Sequence, residues 1–165
     1  MVLVLIGVLA VVAVPRIFNS SDYYARGFHD ETLALLRYAQ KSAVAQRRTV
    51  CVKFSATSPA FATLTIASDA GANVCDTALH GPNKNTKQDE NCAGGASASG
   101  EPADPRACIL AKPGVSYSGT LNDLSFNGLG QLAGATEAQQ IQVQNSQGAI
   151  SKTVTIEAET GYVHD

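Results

Sequence analysis

The sequence predicts an α+β protein in which one long N-terminal helix packs on an antiparallel β-sheet head. Three features predict it: an uncharged apolar run at the N-terminus, a helical period after it, and a switch to period two beyond residue 48. The 165 residues leave room for one ordinary domain and a short appendage. Hydrophobic residues make up 45% of the chain, which excludes general disorder. With no Trp, 5 Tyr and 5 Phe, the core is expected from Val, Ile, Leu and Ala. A net charge of −2 and a pI near 5.9 offer no footprint for a polyanion, since dedicated nucleic-acid binders usually exceed a pI of about 9.

The first element is Met1–Val14, fourteen apolar residues without a charge, ending at Pro15. All 26 formal charges (12 basic plus 14 acidic) lie between Arg16 and Asp165. As a helix the run reaches about 21 Å, short of the roughly 30 Å hydrocarbon core of a bilayer. The residues alone leave three readings open: a truncated membrane anchor, the apolar region of a signal peptide, or a core helix. No basic stretch precedes the run and no small-x-small cleavage site follows it, which disfavours the second. The third lacks any polar face. Pro15 is compatible with one long bent helix where neighbouring helices re-satisfy the freed carbonyl.

The second element runs from about Ser21 to Arg48, with apolar or small residues at Phe28, Thr32, Leu35, Leu36, Ala39 and Ala43 at helical spacing. Arg37, Lys41 and Arg48 form a separate stripe, with Arg47 beside it. A phosphate-binding ridge is one reading of that stripe. A solvated helix face is preferred, because no aromatic residues interleave the cations and the chain is acidic overall.

From Thr49 the period is two. Thr49–Phe54 and Phe61–Ser68 read as a hairpin joined by a loop over Ser55–Ala60, and further strands are expected at Val115–Ser118, Leu124–Asn127, Gln140–Asn145, Thr153–Ala158 and Gly161–His164. Between the two groups, Gly71–Pro113 is dominated by Gly, Ala, Ser, Asn, Asp and Pro, a composition that cannot pack by itself. The predicted division is a spine helix over 1–48 and a β-rich head over 49–165, with an insertion around 71–113.

Cys51, Cys75, Cys92 and Cys108 form an even set in no metal spacing, with fifteen residues between the nearest two, which suits two disulfides in an oxidising compartment. Of three connectivities, Cys51–Cys75 with Cys92–Cys108 is preferred. The second bridge closes a small surface loop, and the first ties one strand to the end of the next. The three histidines are scattered, and no GxSxG, HExxH or paired-acid motif occurs, so no catalytic residue, cofactor site or metal site is assigned.

Met1–Pro15, Arg16 and the helix ending Leu36-Arg-Tyr-Ala-Gln-Lys-Ser-Ala-Val-Ala-Gln-Arg-Arg48 resemble the N-terminal helix of type IV pilins and pseudopilins. Phe28–Lys41, Val50–Phe54, Leu124–Gly130 and Thr160–Val163 are most similar to the GspH/FimT-type minor pseudopilins and MshC-like pilus proteins. In that family, whose members undergo methylation, a cleaved leader precedes Phe-Thr-Leu-x-Glu, and the alignment at Gly7 and Pro15 implies about seven mature residues before Met1. Restoring them brings the apolar segment to about 20 residues, the length of a span.

The resemblance implies a structural filament subunit, not an enzyme, in which Leu3, Leu5, Ile6, Gly7, Leu9, Val12 and Pro15 lie in the filament-core helix. Its partners are other copies or related pilin subunits, and the inner membrane before assembly, with the head in the periplasm. Afterwards the subunit sits in an extracellular pilus or a periplasmic pseudopilus. The alternative is a minor pilin of the same fold that captures a ligand such as DNA. Related DNA-uptake proteins end in a basic Gly-Arg-x-Arg tail. Here the chain reads Gly161-Tyr-Val-His-Asp165, without either arginine, so DNA is not an expected partner.

Overall fold

The computed structural model describes residues 20–81, 107–148 and 151–165. Helix α1 spans Ser20–Gln46 and turns one face inward through Ala25, Phe28, His29, Thr32, Leu35, Leu36, Ala39, Ser42 and Ala43, all buried. Every member of the stripe expected from the sequence is in that set. Leu36, Ala39 and Ala43 are fully inaccessible, and burying a side chain of leucine size is worth about 1.5–3 kcal/mol.

The helix ends in a turn whose chemistry is legible residue by residue. Arg48 N donates to Ala43 O at 3.2 Å and Arg47 N to Val44 O at 3.4 Å, the pair of bonds that satisfies the last helical carbonyls. Arg47 sits between them in the left-handed region at φ 50°, alone among the described non-glycine residues. A glycine at that position would relieve about 1 kcal/mol.

Two antiparallel sheets receive the helix, where the sequence suggested one. In the first, β1 (Val50–Ser55) lies between β2 (Phe61–Ile66) and β6 (Leu124–Phe126). The outer edge of β2 is shared by β3 (Thr77–Ala78), paired at Thr65 and Ile66, and β4 (Cys108–Leu110), paired from Phe61 to Thr63. The second sheet has the order β5-β7-β8-β9, formed by Val115–Ser118, Gln139–Asn145, Ser151–Ile156 and Val163–His164. The hairpin register sets Val50 opposite Ile66 and Val52 opposite Leu64, so the inward set lies on one face under α1.

The reading of Gly71–Pro113 as a stretch without packing of its own needs correction in its described parts. Strands β3 and β4 occur there, and Leu79, Ala107, Ile109 and Ala111 are buried. These segments are too short to show a period. They earn their place by completing backbone hydrogen bonds along β2, including Leu64 N to Ala107 O at 2.9 Å and Ala111 N to Ala60 O at 2.8 Å.

Tyr117 joins all three layers. Its ring centroid lies 5.0 Å from Phe28 on α1 and 5.5 Å from Phe54 on β1. Thr32 Oγ1 donates its single proton to Phe28 O at 2.7 Å, so the Tyr117 hydroxyl is the donor in the 3.1 Å bond between the two side chains. Burial pushes the Tyr117 phenol well above its ordinary value.

Candidate functional site

The far end of α1, about 40 Å along the helix from Ser20 at 1.5 Å per residue, meets the loop after β6 and the turn before β9. Gln40 Nε2 donates to Thr160 O at 2.9 Å and to Gly130 O at 3.4 Å, pinning both turns to the helix. Asn127 builds the first of them: its Oδ1 accepts from Leu129 N and Gln131 N, each at 3.0 Å. Close approach explains two glycines here. A Cβ on Gly128 would stand 3.0 Å from the Arg47 carbonyl carbon, and one on Gly161, at φ 62°, would overlap the Gly130 carbonyl oxygen.

Beside this junction lies an open cleft of about 810 Å³, lined by Val44, Arg47, Thr49, Gly71, Asn73, Asn127, Gly128 and Leu129. Its opposite wall is formed by Gly71 and Asn73 of the loop after β2, which is held at both ends. The Cys51–Cys75 disulfide ties it to β1. Asp76 accepts from Ser68 N and Ser68 Oγ, each at 2.9 Å, and these bonds hold its carboxyl below the usual range. Leu129 is 80% exposed and Val44 48% exposed at the rim. On the neighbouring surface Tyr162 stacks on His164, whose imidazole is raised by its hydrogen bond to Glu157 at 3.1 Å.

The sequence-derived sites fall out unevenly. Cys51 and Cys75 are bonded as expected. Cys108 is disulfide-bonded, while Cys92 lies outside the described residues. The filament-core set of Leu3, Leu5, Ile6, Gly7, Leu9, Val12 and Pro15 also lies outside them. The basic stripe is not a continuous free ridge: Arg37 Nε donates to Val163 O at 3.1 Å, so that residue ties α1 to β9. Sequence reasoning took Arg47 only as a neighbour of that stripe, and Asn127 only as the end of an expected strand within the Leu124–Gly130 block. A signal existed in the two Arg residues directly after the last helical position, but their conformations are set by the turn.

Among the described residues no group of three or more His, Cys, Asp or Glu could hold a metal, and no helix is long and apolar enough to cross a membrane.

One long amphipathic helix laid on two antiparallel sheets places the molecule in the class of α+β heads carried on a helical stem. Residues 30–160 match the family model described as type II transport protein GspH, and the chain belongs to that family. The family is a structural one rather than a family of enzymes. Two crystal forms of FimU, a type IV minor pilin of Pseudomonas aeruginosa strain PAO1, are similar to it at 18% identity. One has a TM-score of 0.49 and covers 88% of this chain and 87% of that chain; the other has 0.48, with 87% and 90%. No curated protein sequence matches the chain significantly.

Proposed function

We propose that the protein is a filament subunit that assembles through its apolar N-terminal helix, with the head on 49–165 displayed outside the filament core. One observation carries the reading. The described part of α1 begins at Ser20, with five residues between it and an uncharged apolar run, Met1–Val14, which has no polar face to offer water. A bilayer before assembly and a core of neighbouring helices afterwards both keep such a segment dry. The partners are other pilin-type subunits and, before assembly, the inner membrane. Arg37, one member of the basic stripe, is engaged with Val163 O and lends no support to DNA capture.

The test is Leu5→Lys in the full chain. A charge buried without a partner costs several kcal/mol, so filament incorporation should be lost, while oxidation of Cys51 with Cys75 shows that the head still folds. Normal filament yield from the variant would refute assembly through this segment.

A further inference from the structure

We propose that the cleft at the C-terminal end of α1 receives an apolar peptide segment bearing a carboxylate, contributed by a neighbouring filament subunit, with Arg47 as the residue that recognises the carboxylate. Charge complementarity selects the occupant. Among the described residues Arg47 is the one charged residue in the lining, its guanidinium makes no hydrogen bond or ion pair, and no acid lines the cleft. Lys41 and Arg48 add to the positive charge of the same helix end in a chain whose net charge is −2. The guanidinium fork matches a carboxylate through two parallel hydrogen bonds.

Backbone conformation points the same way. Arg47 occupies the left-handed position of the helix-ending turn, at φ 50°, where glycine is favoured. A side chain kept there against the backbone preference marks a position chosen for what the side chain does.

The rest of the lining chooses a peptide over a bare anion or a nucleic acid. Leu129 and Val44 present apolar surface at the rim, and Asn73 adds an exposed amide on the facing wall. About 810 Å³ accommodates a short segment of chain. Among the described residues the lining holds aliphatic and amide side chains and no aromatic ring on which a nucleic-acid base would stack. That the segment belongs to another subunit rests on the filament reading given above.

The experiment titrates the full ¹⁵N-labelled chain, in neutral detergent micelles, with acetyl-Leu-Glu-Leu-amide and with its uncharged counterpart acetyl-Leu-Gln-Leu-amide. The glutamate peptide should shift the amides of Arg47, Asn73, Asn127 and Leu129 saturably, and the glutamine peptide should bind at least about tenfold more weakly, the loss expected for a charge-assisted pair. Arg47→Gly should erase that difference while melting at or above the wild-type temperature. A purely structural Arg47 would instead make the variant melt lower. Equal binding of the two peptides, absence of saturable shifts, a lower melt for Arg47→Gly, or tighter binding of a DNA oligonucleotide at the same amides would each overturn the assignment. The titration needs no filament. Its failure leaves the assembly reading intact, and normal filaments from Leu5→Lys would sink that reading without touching the peptide result.

Discussion

Replacing Gly161 with Ala should be far more damaging than the addition of one methyl group suggests. Two separable effects act there. At φ 62° an L side chain is strained by about 1 kcal/mol, a cost shared by any glycine in the left-handed region. The second effect is a collision: the new Cβ would overlap the Gly130 carbonyl oxygen and lie 3.0 Å from its carbon and 3.1 Å from Gln40 Nε2. The obstacle is mostly backbone, and it cannot swing aside as a flexible side chain would. Separating the two turns breaks the bond from Gln40 Nε2 to Thr160 O and weakens that from Gly161 N to Glu157 O, now 2.9 and 2.8 Å. At about 1 kcal/mol each, these losses bring the expected destabilisation to about 3 kcal/mol, or about 6–12 °C in Tm for a chain of this size. Gly134→Ala is the internal control, because Gly134 has φ 75° and nothing within 4 Å of an added Cβ. It should lose only the strain, about 1 kcal/mol. Thermal and urea melts of the detergent-solubilised chain measure both. If Gly161→Ala loses no more than Gly134→Ala, the close approach of the two turns plays no part in stability.

Serine at both Cys51 and Cys75 opens a loop with a sequence separation of 24 and should cost about 3.5 kcal/mol by loop-closure entropy, measured as the difference between urea midpoints at constant slope. Tyr117→Phe removes the donor to Thr32 Oγ1 and should cost about 1 kcal/mol at neutral pH. The same residue sets an alkaline limit. The unfolded chain releases the phenol proton near its ordinary value of 10.0 while the folded state retains it, so stability falls as pH rises above that point, by up to about 1.4 kcal/mol per pH unit. Tyr117→Phe should flatten that slope, and an unchanged slope would show that the hydroxyl is not withheld from water.

Much of the fold was readable without coordinates because it rests on periodicity. Phe28, Thr32, Leu35, Leu36, Ala39 and Ala43 announce an inward helix face through their spacing, and β-branched runs such as Thr49–Phe54 announce strands. An even cysteine count on a secreted-type head likewise anticipated the bond between Cys51 and Cys75. Strands β3 and β4 escaped, since segments of two and three residues carry no period and owe their conformation to hydrogen bonds with β2, a distant partner in sequence. The cleft escaped for a related reason. Val44 with Thr49, Asn73, and Leu129 come from three separate segments, and only the folding of α1 against two sheets brings them around one space. Local sequence determined which elements form and which face of each turns inward, because those choices depend on neighbours a few residues away. Tertiary structure alone decided that the Gly130 and Gly161 turns touch and that Arg47 stands beside the Asn127–Leu129 loop at one cleft, because both depend on contacts between residues far apart in the chain.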